Sequence, residues 1–588
     1  MTALVMQGFI GEQPRIVPRY LDERAAQSAF NTRLDNGALA PWRRSAVENT
    51  DDAAIAVGWK TLFKHGADWL GWNTVVHAVP GPVAEDRLYY TGDGVPKLRH
   101  SSTDYNLALN PPASALSTAK SGSGSGDIIT RLYTYTWVTG FGEESEPAPA
   151  SDPIDWQSGE TVTLSGFEDV SATQPGRNIT KQRIYRSQTG QTGTFFYLIA
   201  ERTASSADFV DDIAVDGFQE ILPSTDYNAP PDGLEGLIEL PNGMMAAFNG
   251  RKVYFCEPYQ PHAWPEKYII TVSHDIMGLG AVGNTVVVMT TGQPSIIQGT
   301  SPETMQEVEL EQNLPCINKR SIVDLGYAIA YASHEGLVAV DAAGGFSIAT
   351  RNLFNRRDWE SYNPASMVAA QLSGRYFAFY ERTLSSGQLD KGGMIIDTSG
   401  EGYLIRTDTR ASAVCYDLAT SDLFYVDPET GYVKQFDAND ASRRTLYWKS
   451  KRFTLPRPEN MAAILVDAES DLSETEQSAY AAELAAIEAA NNALIAAGPI
   501  GGAFNASLVN AYALNGDALE MPPSQSPDSV NVTVYADKEP LHTLTRTNQV
   551  VRLPGGKSAR EWEVDVSANV QIDRILMATN VDELKVIA

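Results

Sequence analysis

Short runs of β-branched, aromatic and aliphatic residues, each closed by Gly, Asn, Asp or Pro, fill most of this 588-residue chain. Alternation with a period of two predicts half-buried strands, and turn residues at their ends predict hairpins. Residues 55–59, 61–63, 69–72, 75–78 and 87–91 read this way, separated by His65-Gly66, Pro80-Gly81-Pro82 and Gly92-Asp93-Gly94. Across 127–225 the strands stand out more clearly as RLYTYTWVT (131–139), ETVTLSG (160–166), KQRIYRSQ (181–188), TFFYLIAER (194–202) and ADFVDD (207–212). Strands this short at this spacing predict a β-sandwich. Between 226 and 450, strand–turn–strand units recur with a looser period. Four such strands would make one blade and several blades a propeller, against a generic β-barrel or sandwich.

Two segments break the strand pattern. LDERAAQSAFNTRLDNGAL (21–39) predicts a short helix capped by Asp22 and ended by Asn36-Gly37. The second, 471–497, is alanine-rich, with Ser473 and Glu476 as a capping box and Tyr480, Leu484, Ile487, Leu494 and Ile495 as its apolar positions. About 25 residues would span roughly 38 Å, the length of an arm packing on a neighbour. The segment 501–523 is expected to return along it. The Gly/Ser stretch SGSGSGD (121–127) predicts flexible coil at a domain boundary. The expected organisation is therefore mainly β. It comprises an extended and short-helical segment (1–45), strands of a propeller or platform (46–126), a fibronectin III- or immunoglobulin-like sandwich (127–225), and a β-propeller-like region (226–470). A helical insertion (471–525) and closing strands (526–588) follow.

Composition changes this picture in one respect. With 73 acidic against 45 basic residues the chain carries a formal charge of −28. Proteins that grip nucleic acid by its phosphates are basic, so sequence-reading DNA binding is disfavoured. Acidity gives solubility, and it suits a channel through which DNA slides without sticking. Cys256, Cys316 and Cys415 are far apart and odd in number, which predicts buried free thiols and fits assembly in a reducing compartment. The N-terminal residues do not read as a signal peptide, and no run of 18 apolar residues predicts a membrane span.

Candidate chemistry is sparse. PGGKS (554–558) echoes the end of a phosphate loop, but Arg552 stands where a glycine is required, so a β-hairpin turn is expected. His334-Glu335 precedes Gly336 in a turn between strands. His65, His77, His100, His262, His274, His334 and His542 show no ligand spacing. Adjacent acids such as Glu143-Glu144 and Asp211-Asp212 carry no signal among 73. Ten Trp and 25 Tyr fit sheet cores and interfaces better than glycan binding. No catalytic, cofactor-binding or metal-ligating residue is assigned, no cofactor is expected, and the chain is read as a non-enzyme.

Three stretches carry a family resemblance: GFIGEQPRIVPRYLDERAAQSAFNTRLDNGALAPWR (8–43), TYTWVTGFGEESEPAPAS (134–151), and LEGLIELPNGMMAAFNGRKVYFCEPYQPHAWP (234–265), the last followed by TTGQPSIIQGTSPETM (290–305) and YASHEGLVAV (331–340). Together they resemble virion proteins of phages, similar to the tail nozzle or tubular proteins of short-tailed phages. The succession IYRS then FYLIA resembles the strands of a fibronectin type III-like module. The resemblance implies a propeller combined with an immunoglobulin- or fibronectin-like domain. It also implies a homo-oligomeric ring, commonly a hexamer, below the portal and adaptor, with tail fibre proteins as further partners and genomic DNA passing through without sequence-specific binding. The implied location is the virion tail, after assembly in the host cytoplasm. The alternatives are a receptor- or glycan-binding tail protein, a depolymerase, and a cellular β-propeller scaffold.

Overall fold

A computed structural model describes residues 3–48, 57–84, 86–170, 174, 176–190, 193–213, 220–384, 386–398, 402–469, 474–497 and 528–587. The chain is mainly β. Its two ends are tied together: the strand Ala3–Gln7 pairs antiparallel with Gln571–Ala578, which pairs in turn with Ala463–Glu469. This sheet faces part of a ten-stranded sheet that includes Ala26–Phe30, Leu446–Ser450, Ala559–Ala568 and Val530–Ala536. Between them lies the largest core, with Met6, Trp448, Trp562, Ile575 and Met577 at or below 1% exposure.

Here the predicted helix over 21–39 is overturned. Residues 26–30 and 32–33 are strands, and Asp22 accepts from the Arg24 amide in a local turn instead of capping a helix. Ala26–Phe30 lies parallel to Tyr403–Thr407 and antiparallel to Leu446–Ser450, with Ala26 and Ala29 fully buried. Small side chains between two neighbouring strands suit that slot, and the tertiary ladder outweighs alanine's helical preference. Asn36-Gly37 does form a turn, with Gly37 at φ +80.

Antiparallel four-stranded meanders succeed one another at 77–106, 235–271, 276–309 and 323–348. A fifth, 368–407, is one end of the ten-stranded sheet. A sixth, 413–435, receives its fourth strand, Ala46–Val47, from the N-terminal region. The first strands touch in sequence: His77–Val79 meets Glu235–Glu239, then Ile276–Val282, Val323–Asp324, Val368–Leu372 and Ala413–Asp417 follow. The last of these touches Thr61–His65, whose hairpin partner Asp68–Trp72 returns to the first meander through Trp72 and Tyr90, 5.3 Å apart. Local turn chemistry sets the hairpins. Leu372 pairs with Arg375 across Ser373-Gly374, both at positive φ, the type I′ geometry that matches strand twist.

Between the first and second meanders the chain builds two three-stranded sheets around one core that includes Leu109, Leu116, Tyr133, Tyr135, Trp137 and Ile184. The Gly/Ser stretch 121–127 is not coil. It belongs to the strand Ser117–Arg131, which pairs with Ile154–Ser165 through two register shifts. Glycine and serine bring little preference of their own, so the neighbouring ladder decides, helped by the Ser121–Thr161 hydroxyl bond at 2.9 Å. This two-sheet unit draws core residues from upstream of the boundary expected at 127.

The alanine-rich helix is present as Glu474–Ala497, and its described side chains, 478–493, are exposed except Tyr480, Leu484, Ile487 and Asn491. Its expected capping residue Ser473 and the returning segment 501–523 lie outside the described residues, as do the side chains of Glu476, Leu494 and Ile495. Two short helices were not expected: Arg356–Ser361, capped by Asn355, and Val581–Ile587, which packs on the terminal sheet. Residues 554–558 form a turn, yet it links strands of two different sheets and is not a hairpin. No described helix is long and apolar enough to cross a membrane.

Candidate functional site

The strand Tyr133–Thr139 is buried on both faces. Its aromatic positions, Tyr133, Tyr135 and Trp137, enter the two-sheet core. Its threonines face a returning loop: Thr134 donates to the Ala148 carbonyl at 2.7 Å and Thr136 to the Glu144 carboxylate at 2.7 Å. The loop is Glu-Ser-Glu-Pro-Ala-Pro-Ala-Ser. Its amides at Ser145, Ala148 and Ser151 donate to the carbonyls of Trp137, Tyr135 and Tyr133. A spacing of three matches a polyproline II-like segment, and the prolines at 147 and 149 sit where no donor is needed.

At the start of this loop the two adjacent acids become buried anchors. Glu143 accepts from Arg177 at 2.6 Å and from Thr139 at 2.9 Å. Glu144 accepts from Thr136, from Tyr185 at 2.5 Å and from Arg183 at 2.8 Å. Burial, then the Glu144 charge, pushes the Tyr185 hydroxyl well above its ordinary range, so it stays a donor. From the second meander, His262 donates through Nε2 to the Glu144 carbonyl at 2.9 Å. Desolvation holds this fully buried imidazole below its ordinary pKa, with the Arg177 charge acting the same way and Glu143 opposing. Asn228 clamps the other side, its side-chain amide donating to the Glu146 carboxylate at 3.1 Å and its backbone carbonyl accepting from the Trp264 amide. From the first meander, Arg87 lies 4.6 Å over Phe141, which also meets His100 edge-on at 5.2 Å.

Phe141, Glu143, Glu144 and Glu146, with Arg177, Arg87, His100, Asn228 and His262, thus form one largely buried polar joint between the two-sheet unit and the first two meanders. Glu143 Oε1, Arg177 Nε and Nη1, His262 Nδ1, Tyr89 Oη and Arg87 Nε lie inside it without a protein partner among the described residues. The chemistry is that of a rigid, oriented connection: directional bonds set the angle, and each charged group is costly to leave unpaired. Of the other acid pair, Asp211 behaves likewise while Asp212 is exposed. Asp211 is buried against Arg186 at 2.8 Å and Arg131 at 3.5 Å and accepts from Tyr133 at 2.8 Å.

The sequence reading assigned no site, and it treated Glu143-Glu144 and His262 as unremarkable. It missed Arg177, Asn228 and Tyr89 altogether. The available signal was indirect: the stretches 134–151 and 234–265, distant in sequence, are the two that meet here. Cys256 and Cys316 are buried free thiols, each pushed up to about 12 by burial, and Cys415 is part-buried. Among the described residues no group of three His, Cys, Asp or Glu side chains is placed to hold a metal.

No protein-family model and no curated protein matches the chain. Solved structures that resemble it include the N-terminal domain of Nup159, at 10% identity and a TM-score of 0.23 over 43% of this chain and 86% of that one. The extracellular domain of the hybrid two component system BT3049 from B. thetaiotaomicron matches at 10% identity and a TM-score of 0.27, over 73% of this chain and 46% of that domain. An auxiliary nutrient binding protein from Bacteroides ovatus matches at 10% identity and a TM-score of 0.19, over 54% of this chain and 99% of that one. At these scores the likenesses carry no functional argument.

Proposed function

We propose that this chain is a structural, non-enzymatic subunit of a phage tail, forming a ring-shaped nozzle below the portal and adaptor through which genomic DNA is held and ejected. In this reading the successive meanders are blades of a propeller closed by the strand Ala46–Val47, and the two-sheet unit is an immunoglobulin- or fibronectin III-like module. The observation that carries the proposal is the joint. Two of the stretches that resemble tail nozzle proteins, 134–151 and 234–265, converge on it at Glu144–His262. Residues of that kind fix the angle between two units, which a subunit of a closed ring requires.

The charge supports the same reading. Six copies at −28 each would present DNA with a strongly repelling assembly, so phosphates would pass without adhering. The test is DNA retention by the purified chain at low salt. Negligible retention is expected, and tight retention would sink the sliding-channel role.

A further inference from the structure

A cavity of about 850 Å³ opens beside the meander 368–407, bounded also by residues 58–60 and 410–412. Its charge runs against the rest of the chain. Five cations line it (Lys60, Arg320, Arg382, Lys391 and Arg410) against three carboxylates, whereas the whole chain has 45 basic and 73 acidic residues. Those three carboxylates are already engaged: Glu381 with Lys391 at 2.6 Å, Glu360 with Arg356 at 3.1 Å, and Glu429 with Arg410. Arg382 pairs with Asp390 at 2.6 Å and lies 3.9 Å over the Tyr362 ring.

Lys60 and Arg320 differ. Neither has a carboxylate within ion-pair distance among the described residues. Arg320 rises from the short turn Lys319–Ser321, and its Nη2 donates to the backbone carbonyls of Lys60, at 3.0 Å, and Ser412. Carbonyls orient a guanidinium without cancelling its charge, and its Nε is buried with no partner. For the part-buried Arg320 an uncompensated charge is costly unless a counter-charge binds there, and exposed Lys60 adds a second positive charge at the mouth. The volume lies in the range of small-molecule sites, and half-buried Trp59 adds an apolar wall beside Lys60.

We propose that this cavity binds a small ligand bearing two or more oxyanion charges (phosphate, sulfate or carboxylate), held by Lys60 and Arg320, the two lining cations unpaired among the described residues. The oxyanion could be free or carried on an acidic saccharide.

Calorimetric titration of the full chain with inorganic phosphate, inorganic sulfate, an oligogalacturonate and a neutral trisaccharide tests this. Saturable binding of at least one anionic probe, weakening with added salt, is expected, with no binding of the neutral sugar. Preference for the oligogalacturonate would identify a saccharide acid, and comparable binding of phosphate a free oxyanion. Lys60→Glu, at an exposed position, should weaken binding by about tenfold or more without changing the circular dichroism spectrum. Arg320→Gln should do the same, with the fold checked separately because the side chain is an anchor. Absence of binding by all three anionic probes, or affinity unchanged in Lys60→Glu, would overturn the proposal.

Discussion

Individual buried charges decide how the two-sheet unit holds together. Asp211 is the carboxylate shared by Arg131 and Arg186, all three buried. Asp211→Ala leaves two buried guanidiniums without that counter-charge, and a loss of about 3–5 kcal/mol is expected in urea unfolding. His262 supplies a pH dependence with a definite sign. Its folded pKa lies below the ordinary value near 6.5, so below that pH the unfolded chain takes up a proton that the folded joint refuses. Its contribution is therefore intact above about pH 6.5 and is lost as pH falls, with a slope of up to about 1.4 kcal/mol per unit. The groups facing it are Arg177, the Glu143 carboxylate, the Glu144 carbonyl and the Tyr227 ring at 5.8 Å. His262→Gln keeps a donor toward Glu144 but does not titrate. The stability difference between it and the parent chain should change between pH 7 and 5, and a constant difference would contradict this account.

At the scale of elements, periodicity and composition served well where local preference and tertiary neighbours agree, and failed where neighbours override local preference. The strands of 131–212 and the long helix were legible, because alternation and alanine content speak directly to the backbone. The segment 26–33 was not, because its alanines are needed for the space between two strands and not for helix formation. The stretch 121–127 was misread for a related reason: its conformation is imposed by Ile154–Ser165. The joint was almost invisible, since it forms between residues 34 to 118 positions apart, from Glu143 with Arg177 to Glu144 with His262. The described side chains of the helix Glu474–Ala497 are mostly exposed, and the helix lies between strands of two different sheets, Ala463–Glu469 and Val530–Ala536. Replacing 470–528 with a short Gly/Ser linker should leave the melting temperature of the body within about 3 °C. A larger fall would show that the insertion stabilises the body.

For the whole molecule, the N-terminal residues close what the rest of the chain leaves open. Ala3–Gln7 covers one edge of the terminal sheet, Ala26–Phe30 bridges two halves of the ten-stranded sheet, and Ala46–Val47 completes the sixth meander. Deleting residues 1–47 exposes strand edges and opens the largest core, so loss of cooperative unfolding and aggregation are expected. A soluble, cooperatively melting truncation would contradict that role. The role proposed for the whole molecule is that of a ring-forming tail subunit. A cryo-electron microscopy map of the tail proposed to contain it tests this most directly. Copies of the chain, commonly six, are expected to close a ring around a bore below the portal, with the two-sheet units held at one fixed angle. Its absence from that ring, or its presence only as a trimer at a fibre tip, would contradict it.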